Sequence, residues 1–417
     1  MTRKSIVGIL FCIVLLFSVI PYMASKSKFV VIGFEATILF SIFILILQKN
    51  LTCKFTNSQA TALGLLFSLM ILSVISNAYN VAFTSVTLEY VEVLEVIRII
   101  YQLSLLVFFI SVLDCINSDR IDYLLSRTIL ITAIFCFFFG FISWLGIEPF
   151  LSISEFYGSA VTYSKGYAQF RSFAIIGQPG KQGIFVTILL FICIHQFFYS
   201  KYKMAYMISA LLLLPSLIVT FSRISIIFLV IYIIFLNLVL RNRYLTTFSL
   251  IVAVIAITTV SVFFSDDIIE TFTRGIDLSH GKVSTLGHRM VLKLWAVDFL
   301  SNDWIRVLIG TGTPKEWIDK FVHPYAHDLT LRNPDSSQTV WFVRYGLVGM
   351  ILNYFFYCFI LFNSYKNMHL RQSLGFVSPI IFILIFWSFL DPPFHEYKIA
   401  PFVMLLSAMA LKSKSDK

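Results

Sequence analysis

Twelve apolar runs, most of them close to the roughly 20 residues a helix needs to cross a bilayer core, make up much of this 417-residue chain. They lie near 5–23, 29–48, 60–78, 97–113, 127–146, 182–199, 204–221, 224–240, 245–265, 338–363, 376–391 and 397–411. In lipid every backbone N–H and C=O must be paired within the protein, which restricts spanning structures to helices and closed barrels. Barrel strands alternate apolar and polar residues, whereas these runs are continuous. The composition agrees, with 58% hydrophobic, 17% aromatic and only 13% charged residues, against about 25% charged in a soluble domain. A soluble globular enzyme, a disordered chain and a nucleic-acid binder are excluded. The expected fold is all-α, a polytopic integral membrane protein of about 12 transmembrane helices. The first run resembles a signal peptide, with Arg3 and Lys4 before it and Met23-Ala24-Ser25 after it. Its length and the immediate second run favour an uncleaved first helix.

The net charge of +10 divides by topology. Alternate joints carry Arg3/Lys4, Lys49/Lys54, Arg120/Arg127, Lys201/Lys203, Arg241/Arg243, Lys366/Arg371 and Lys412/Lys414/Lys417. The short joints between them carry acids such as Glu89, Glu92 and Glu95, or the turn Asp391-Pro392-Pro393. The positive-inside rule then puts both termini in the cytoplasm. All six cysteines (Cys12, Cys53, Cys115, Cys136, Cys193 and Cys358) fall in spans or on that inner side, so no outward disulfide is expected.

Two long outer loops hold the polar content, at about 148–181 and 266–337. They divide the chain into a nine-span bundle (1–265), the large loop (266–337) and a three-span bundle (338–417). Loops as long as the second are functional or disordered. This one carries Trp295, Trp304 and Trp317 and apolar residues at helical spacing, such as Leu292/Trp295/Leu300. Short amphipathic helices lying on the outer membrane face are expected over 285–300 and 313–322. With acids outnumbering bases, the loop is no basic patch.

Several chemistries have no motif here. There is no GxxxxGK[ST] for ATP, no Asp-x-Asp for a metal-bound nucleotide sugar, and no GxSxG, HExxH or CxxC. Spans one to nine hold few ionisable residues at mid-depth, which gives a proton or ion pathway little support. The remaining candidates are arginines at outer helix ends. Arg171 precedes span six, Arg223 sits in the tight joint before span eight, Arg289 leads the first loop helix, and Arg344 lies about two turns inside span ten. Arginine stays charged and presents a planar fork of donors matched to phosphate oxygens. Each has a plainer reading: a loop ion pair with Glu148 or Glu155 for Arg171, a snorkelling residue for Arg223, an exposed helix residue for Arg289, and a pair with Asp335 for Arg344. Arg223 stands where topology disfavours arginine, which favours function. Asp335, three residues before Gln338, reads as a capping box for span ten and also as a general base at a cavity mouth. His288, His323 and His327 are further bases or ordinary surface histidines. Gly346 and Gly349 would allow close helix packing, and Gly310-Thr311-Gly312 a turn or flexible lip.

The order of these pieces resembles the superfamily of O-antigen polymerases (Wzy-type) and O-antigen ligases. Arg171…Gly177…Pro179, Ser222-Arg223, Arg289…Trp295 with Gly310-Thr311-Gly312, and Asp335-Ser336-Ser337…Gly346-Leu347-Val348-Gly349 stand in the family's order over roughly 165–395. Gly180 replaces the family's usual Asn after the Pro. Asp335-Ser336 replaces the His-Asn of ligases, which favours polymerase over ligase. The resemblance implies a metal-independent, inverting GT-C-type glycosyltransferase without cofactor. Its partners would be the bilayer, an undecaprenyl-pyrophosphate-linked glycan donor, a lipid-linked repeat unit as acceptor, and a chain-length regulator. Arg171, Arg223, Arg289 and Arg344 would bind pyrophosphate. Asp335 would orient or deprotonate the acceptor hydroxyl, with His288 or His327 in reserve. The alternatives are ligase-type transfer to another acceptor and a flippase or exporter of lipid-linked sugars. The implied location is a bacterial cytoplasmic membrane, with the site facing outward.

Overall fold

The computed structural model describes residues 3–16, 36, 39–40, 55–84, 90–157, 172, 175–176, 179–220, 222–240, 285–312, 322–323, 326–330, 336–368, 374–389, 393–394 and 398–412. The helices in chain order are α1 (Arg3–Leu16), α2 (Asn57–Thr84), α3 (Tyr90–Cys115), α4 (Ser118–Cys136), α5 (Phe150–Tyr157), α6 (Pro179–Tyr199), α7 (Lys203–Ile218), α8 (Arg223–Leu240), α9 (Thr285–Ser301), α10 (Trp304–Ile309), α11 (Ser337–Met368), α12 (Val377–Trp387) and α13 (Ala400–Ala410). A π-helical turn, Phe137–Ile142, continues α4. Five stretches are long and apolar enough to cross a membrane: Asn57–Phe83, Ile97–Cys115, Ser118–Ile142, Pro179–Tyr199 and Ser337–Asn367. Shorter apolar helices lie among them, and the protein is an integral membrane protein of all-helical architecture. The expected spans at 29–48 and 245–265 lie almost wholly outside the described residues.

One small exception to the all-helical loop appears. Val322–His323 (β1) and Ala326–Thr330 (β2) pair antiparallel, with Val322 opposite Thr330 and His323 opposite Ala326. The helix expected over 313–322 falls mostly outside the described residues, but its last residue, Val322, begins a strand.

The helices sort into two ends. At the first, Gln59 Nε2 donates to the Leu411 carbonyl (3.4 Å), Asn367 Nδ2 to that of Ala410 (2.8 Å) and Lys412 Nζ to Ser118 Oγ (3.4 Å). The starts of α2 and α4 and the ends of α11 and α13 therefore meet there. Lys201 and Asp119 form an exposed pair at 2.6 Å at the same end, and the Asp119 contact raises the Lys201 pKa. At the other end α6, α8, α11 and α13 begin and α2, α7 and α12 finish. The core between is continuous and aromatic. Tyr232 stacks on Phe191 at 3.9 Å, and Trp341 on Phe394 at 5.7 Å. With no hydrophobic drive between helices in lipid, packing of this kind and small residues hold them together. Gly183 illustrates it: a Cβ there would come within 2.7 Å of Ser222 Cβ, so only glycine lets α6 approach the start of α8 this closely.

Candidate functional site

The polar structure concentrates at the second end, in two linked clusters. The first joins the segments that carry Arg171 and Arg223. Ser172 N donates to the Val219 carbonyl (2.8 Å), just before the turn into α8. Ser172 Oγ donates to the Gly140 carbonyl (3.1 Å), and Ser216 Oγ to that of Cys136 (2.8 Å). These two carbonyls flank the start and middle of the π-helical turn, where i→i−4 pairing is interrupted and carbonyls are opened to outside donors. Beyond Ser172, the Ile176 N–H donates to Gln182 Oε1 (3.2 Å) in the first turn of α6. Lys398, two residues ahead of α13 and only 2% exposed, donates from Nζ to the Ile175 carbonyl (2.6 Å).

The second cluster is built around a break in α11. Gly346 has φ 65° and ψ −165°, a conformation essentially confined to glycine, so α11 is two helices joined at this residue. The break removes the normal partners of the preceding carbonyls, and the 310–312 segment takes their place. Thr311 N and Oγ1 both donate to the Val343 carbonyl (2.8 and 3.0 Å), and Gly312 N donates to that of Arg344 (2.9 Å). From α2, Ser76 Oγ donates to the Gly310 carbonyl (3.1 Å) and Asn80 Nδ2 reaches the same oxygen at 3.3 Å. Gly310 and Gly312 also have positive φ (77° and 67°). A Cβ on Gly310 would press on the Arg344 and Gly346 backbone, and one on Gly312 on the Asn77 amide. Irregular backbone at membrane depth survives only where protein surrounds it, which these contacts supply. Gly346 does allow close packing, since an added Cβ would fall on the Leu308 and Gly310 backbone, and it also breaks the helix; of the two readings of 310–312 the turn holds, and the flexible lip is corrected to a buried clip. Gly349 does pack closely, with its added Cβ 3.2 Å from Leu72 Cδ2.

The loop helices sit on protein rather than only on the membrane. Ala296, Phe299 and Leu300 of α9 bury against Val343, with Trp295, Val307 and Phe342 beside them. Lys293 Nζ donates to the Phe389 carbonyl just past α12 (3.0 Å). Asp303 caps α10 through Oδ1 to Ile305 N (3.0 Å), while Oδ2 takes the Tyr79 hydroxyl (3.2 Å) and meets Arg306 Nε (3.3 Å). Burial pushes the Arg306 pKa down, and the Asp303 carboxylate opposes the shift.

Three of the elements bearing candidate residues, α8, α9 and α11, therefore converge near the end of α12. Phe228 of α8 packs on Trp387 at 4.7 Å, and Gln338 N of α11 donates to the Ser388 carbonyl (3.3 Å). Arg223 opens α8, His288 and Arg289 lie in the first two turns of α9, and Arg344 is half-buried beside the break in α11. His323 and His327 fall in β1 and β2. Arg171 and Asp335 lie outside the described residues. The cap of α11 falls one residue later than the Asp335/Gln338 pattern implies, with Ser336 Oγ accepting Thr339 N (3.2 Å) and pairing with Thr339 Oγ1 (2.8 Å). Two groups escaped the sequence reading. Ser73, Ser76, Asn77 and Asn80 recur at 3–4-residue spacing, a polar stripe inside an apolar span that periodicity could have exposed. The other is Lys398, a buried lysine just ahead of α13, which the sequence does not distinguish from an ordinary helix-end lysine.

The starts of α6, α8, α11 and α13 lie at this end, with Arg223 opening α8 and Lys398 just ahead of α13, and both the dipoles and these side chains favour negatively charged ligands there. The fold and site define a polytopic membrane protein with an anion-favouring polar centre at one end of its bundle. Residues 208–354 match the family model described as O-Antigen ligase. That stretch runs from within α7 into α11 and includes Arg223, His288, Arg289, His327, Asp335 and Arg344; over it the chain is similar to the O-antigen ligase family. Curated proteins yielded no match.

Proposed function

We propose that this protein polymerises polysaccharide repeat units at the outer face of a bacterial cytoplasmic membrane, with both termini in the cytoplasm. The growing glycan passes from undecaprenyl pyrophosphate to a sugar hydroxyl of a lipid-linked repeat unit. The carrying observation is the match over 208–354, together with the meeting of the Arg171 and Arg223 segments through Ser172 and Val219. The bond from the anomeric carbon to the phosphate oxygen breaks and its electron pair leaves with pyrophosphate. A new bond forms to the acceptor oxygen, from the opposite face, and the hydroxyl proton passes to a base. Fixed guanidinium groups stabilise the charge that grows on the leaving group. The oxocarbenium-like transition state asks little of the base, a role assigned to Asp335 with His288 or His327 in reserve. Arg171, Arg223, Arg289 and Arg344 bind the donor or acceptor pyrophosphate.

The expected result of Arg223→Ala or Arg289→Ala is surface polysaccharide of much reduced chain length at normal protein level, read on a gel. Unchanged chain length in both variants would sink the mechanism. The ligase reading draws on the description of the matched family itself. Against it stands Asp335-Ser336 at the loop exit, where ligases carry His-Asn. Deletion of the gene separates the two: loss of a polymerase leaves acceptors bearing one repeat, whereas loss of a ligase leaves bare acceptors and accumulated lipid-linked polymer.

A further inference from the structure

A cavity of about 150 Å³ lies at the end of the bundle away from the polar centre, with room for about five waters or a group of that size. Three membrane-spanning stretches end around it: one finishes at Cys115, one begins at Ser118 and one finishes at Tyr199. Span ends lie at the depth of the lipid head groups. The walls are graded along that axis. Asp119, Lys201 and Lys412 line the mouth, while Ile121, Leu125 and Met409 lie deeper. Leu125 stands two turns, roughly 10 Å, along α4 from Ser118.

Both signs of charge face this space. The Asp122 carboxylate in its wall is fixed, with Ser200 Oγ donating to Oδ2 (2.5 Å) and the Tyr206 hydroxyl to Oδ1 (2.8 Å). A carboxylate offers about four lone-pair sites, so acceptor capacity remains on both oxygens. Asp119 meets Lys201 Nζ at 2.6 Å, but both side chains are 73% exposed, and an exposed pair is weak enough to exchange with a ligand. Lys412, itself buried, donates from Nζ to Ser118 Oγ at 3.4 Å, the long end of such a contact, and an ammonium carries three donors.

Charge balance decides the class of ligand. A head group that is only negative meets two carboxylates, and a quaternary ammonium has no N–H to give them. A phosphate joined to a primary ammonium satisfies both signs, and its glycerol end meets the apolar wall. We propose that this cavity binds the head group of a phosphatidylethanolamine-type lipid, with the phosphate on Lys412 and the ammonium between Asp119 and Asp122. The inference does not depend on the polymerisation reading, since it concerns the opposite end of the bundle and is read by binding.

The test uses the full-length protein in detergent with added phosphatidylethanolamine, phosphatidylcholine, phosphatidylglycerol or free phosphoethanolamine. Thermal unfolding and native mass spectrometry are the readouts. Phosphatidylethanolamine is expected to raise the unfolding temperature most and to remain as a bound adduct. Lys412→Gln should weaken that binding roughly ten- to hundredfold, the size of one lost charged hydrogen bond. Leu374→Trp fills the cavity from a wall residue without touching a charge, and should abolish binding. Asp119→Asn should remove the preference for phosphatidylethanolamine over phosphatidylglycerol. Equal stabilisation of the wild type by all three lipids means that the cavity holds water only, and the proposal fails. Wild-type affinity in Lys412→Gln and Leu374→Trp overturns it too. Free phosphoethanolamine binding as tightly as the lipid would make the ligand a soluble metabolite and overturn the lipid assignment. If Lys412→Gln and Leu374→Trp do not fold, the exposed Asp119→Asn decides: loss of lipid preference upholds the proposal, and an unchanged preference overturns it.

Discussion

His195, in the C-terminal half of α6, is fully buried, and neither ring nitrogen has a hydrogen-bond partner among the described residues. It stacks on Tyr199 at 4.6 Å and lies 5.4 Å from the Phe376 ring, so it serves as an aromatic plate. An orphaned buried polar group costs about 1–3 kcal/mol, whereas a phenyl ring keeps the stacking without that cost. His195→Phe is therefore expected to hold or raise the thermal unfolding temperature in detergent and to leave glycan length unchanged. A clear drop in that temperature would refute the aromatic-plate role. Ser336 is the opposite case, a polar group whose bonds are all accounted for. Its hydroxyl caps α11, and Ser336→Ala is expected to cost about 1 kcal/mol of stability, checked by chemical denaturation. The carboxylate beside it at Asp335 was the natural reading from sequence, because Asp and Ser are both strong caps and differ here only by one residue of register.

The break in α11 belongs to the scale of elements. A continuous helix from Ser337 to Met368 would pair Val343 and Arg344 internally and leave 310–312 without a seat. Breaking it at Gly346 couples three distant parts of the chain: α2, the α9–α10 pair and α11. Gly346→Ala must place a side chain at positive φ and against the Leu308 carbonyl. A loss of about 2 kcal/mol or more is expected from the backbone strain alone, with release of the clip. Limited proteolysis should then cut near 310–312, where the wild-type chain is protected. Protection equal to wild type would show that the clip does not depend on the glycine. Ser76→Ala is expected to have a milder effect in the same assay, since Asn80 still holds the Gly310 carbonyl.

At the scale of the whole molecule, the helix directions carry a prediction of orientation. The basic residues Arg120, Lys201, Lys366 and Lys412 gather at one end, which the positive-inside rule predicts to be cytoplasmic. A fluorescent protein fused after Lys417 should fluoresce in living cells, and one that requires a reducing cytoplasm should stay dark when inserted after Ser301. The reverse pattern would invert the membrane topology and put the polar centre inside. Much of this frame was readable from hydropathy: the boundaries of α2, α6, α7, α8 and α9 lie within a few residues of the apolar or amphipathic runs, because burial in lipid leaves a continuous apolar signal and helices are the only local answer to it. The arginine-bearing segments could be found the same way, as charges on the side where topology does not place them. What periodicity could not reach is whatever depends on elements meeting. The break at Gly346 needs the 310–312 carbonyl partners, the seat of α9 needs Val343, and Lys398 looks like any helix-end lysine until Ile175 is brought 2.6 Å away. The sequence by itself determined the solvent, the helices and which face carries charge, since those follow from local composition. Only the tertiary structure decided which polar groups are buried together, because desolvation and hydrogen bonding are properties of neighbours far apart in the chain.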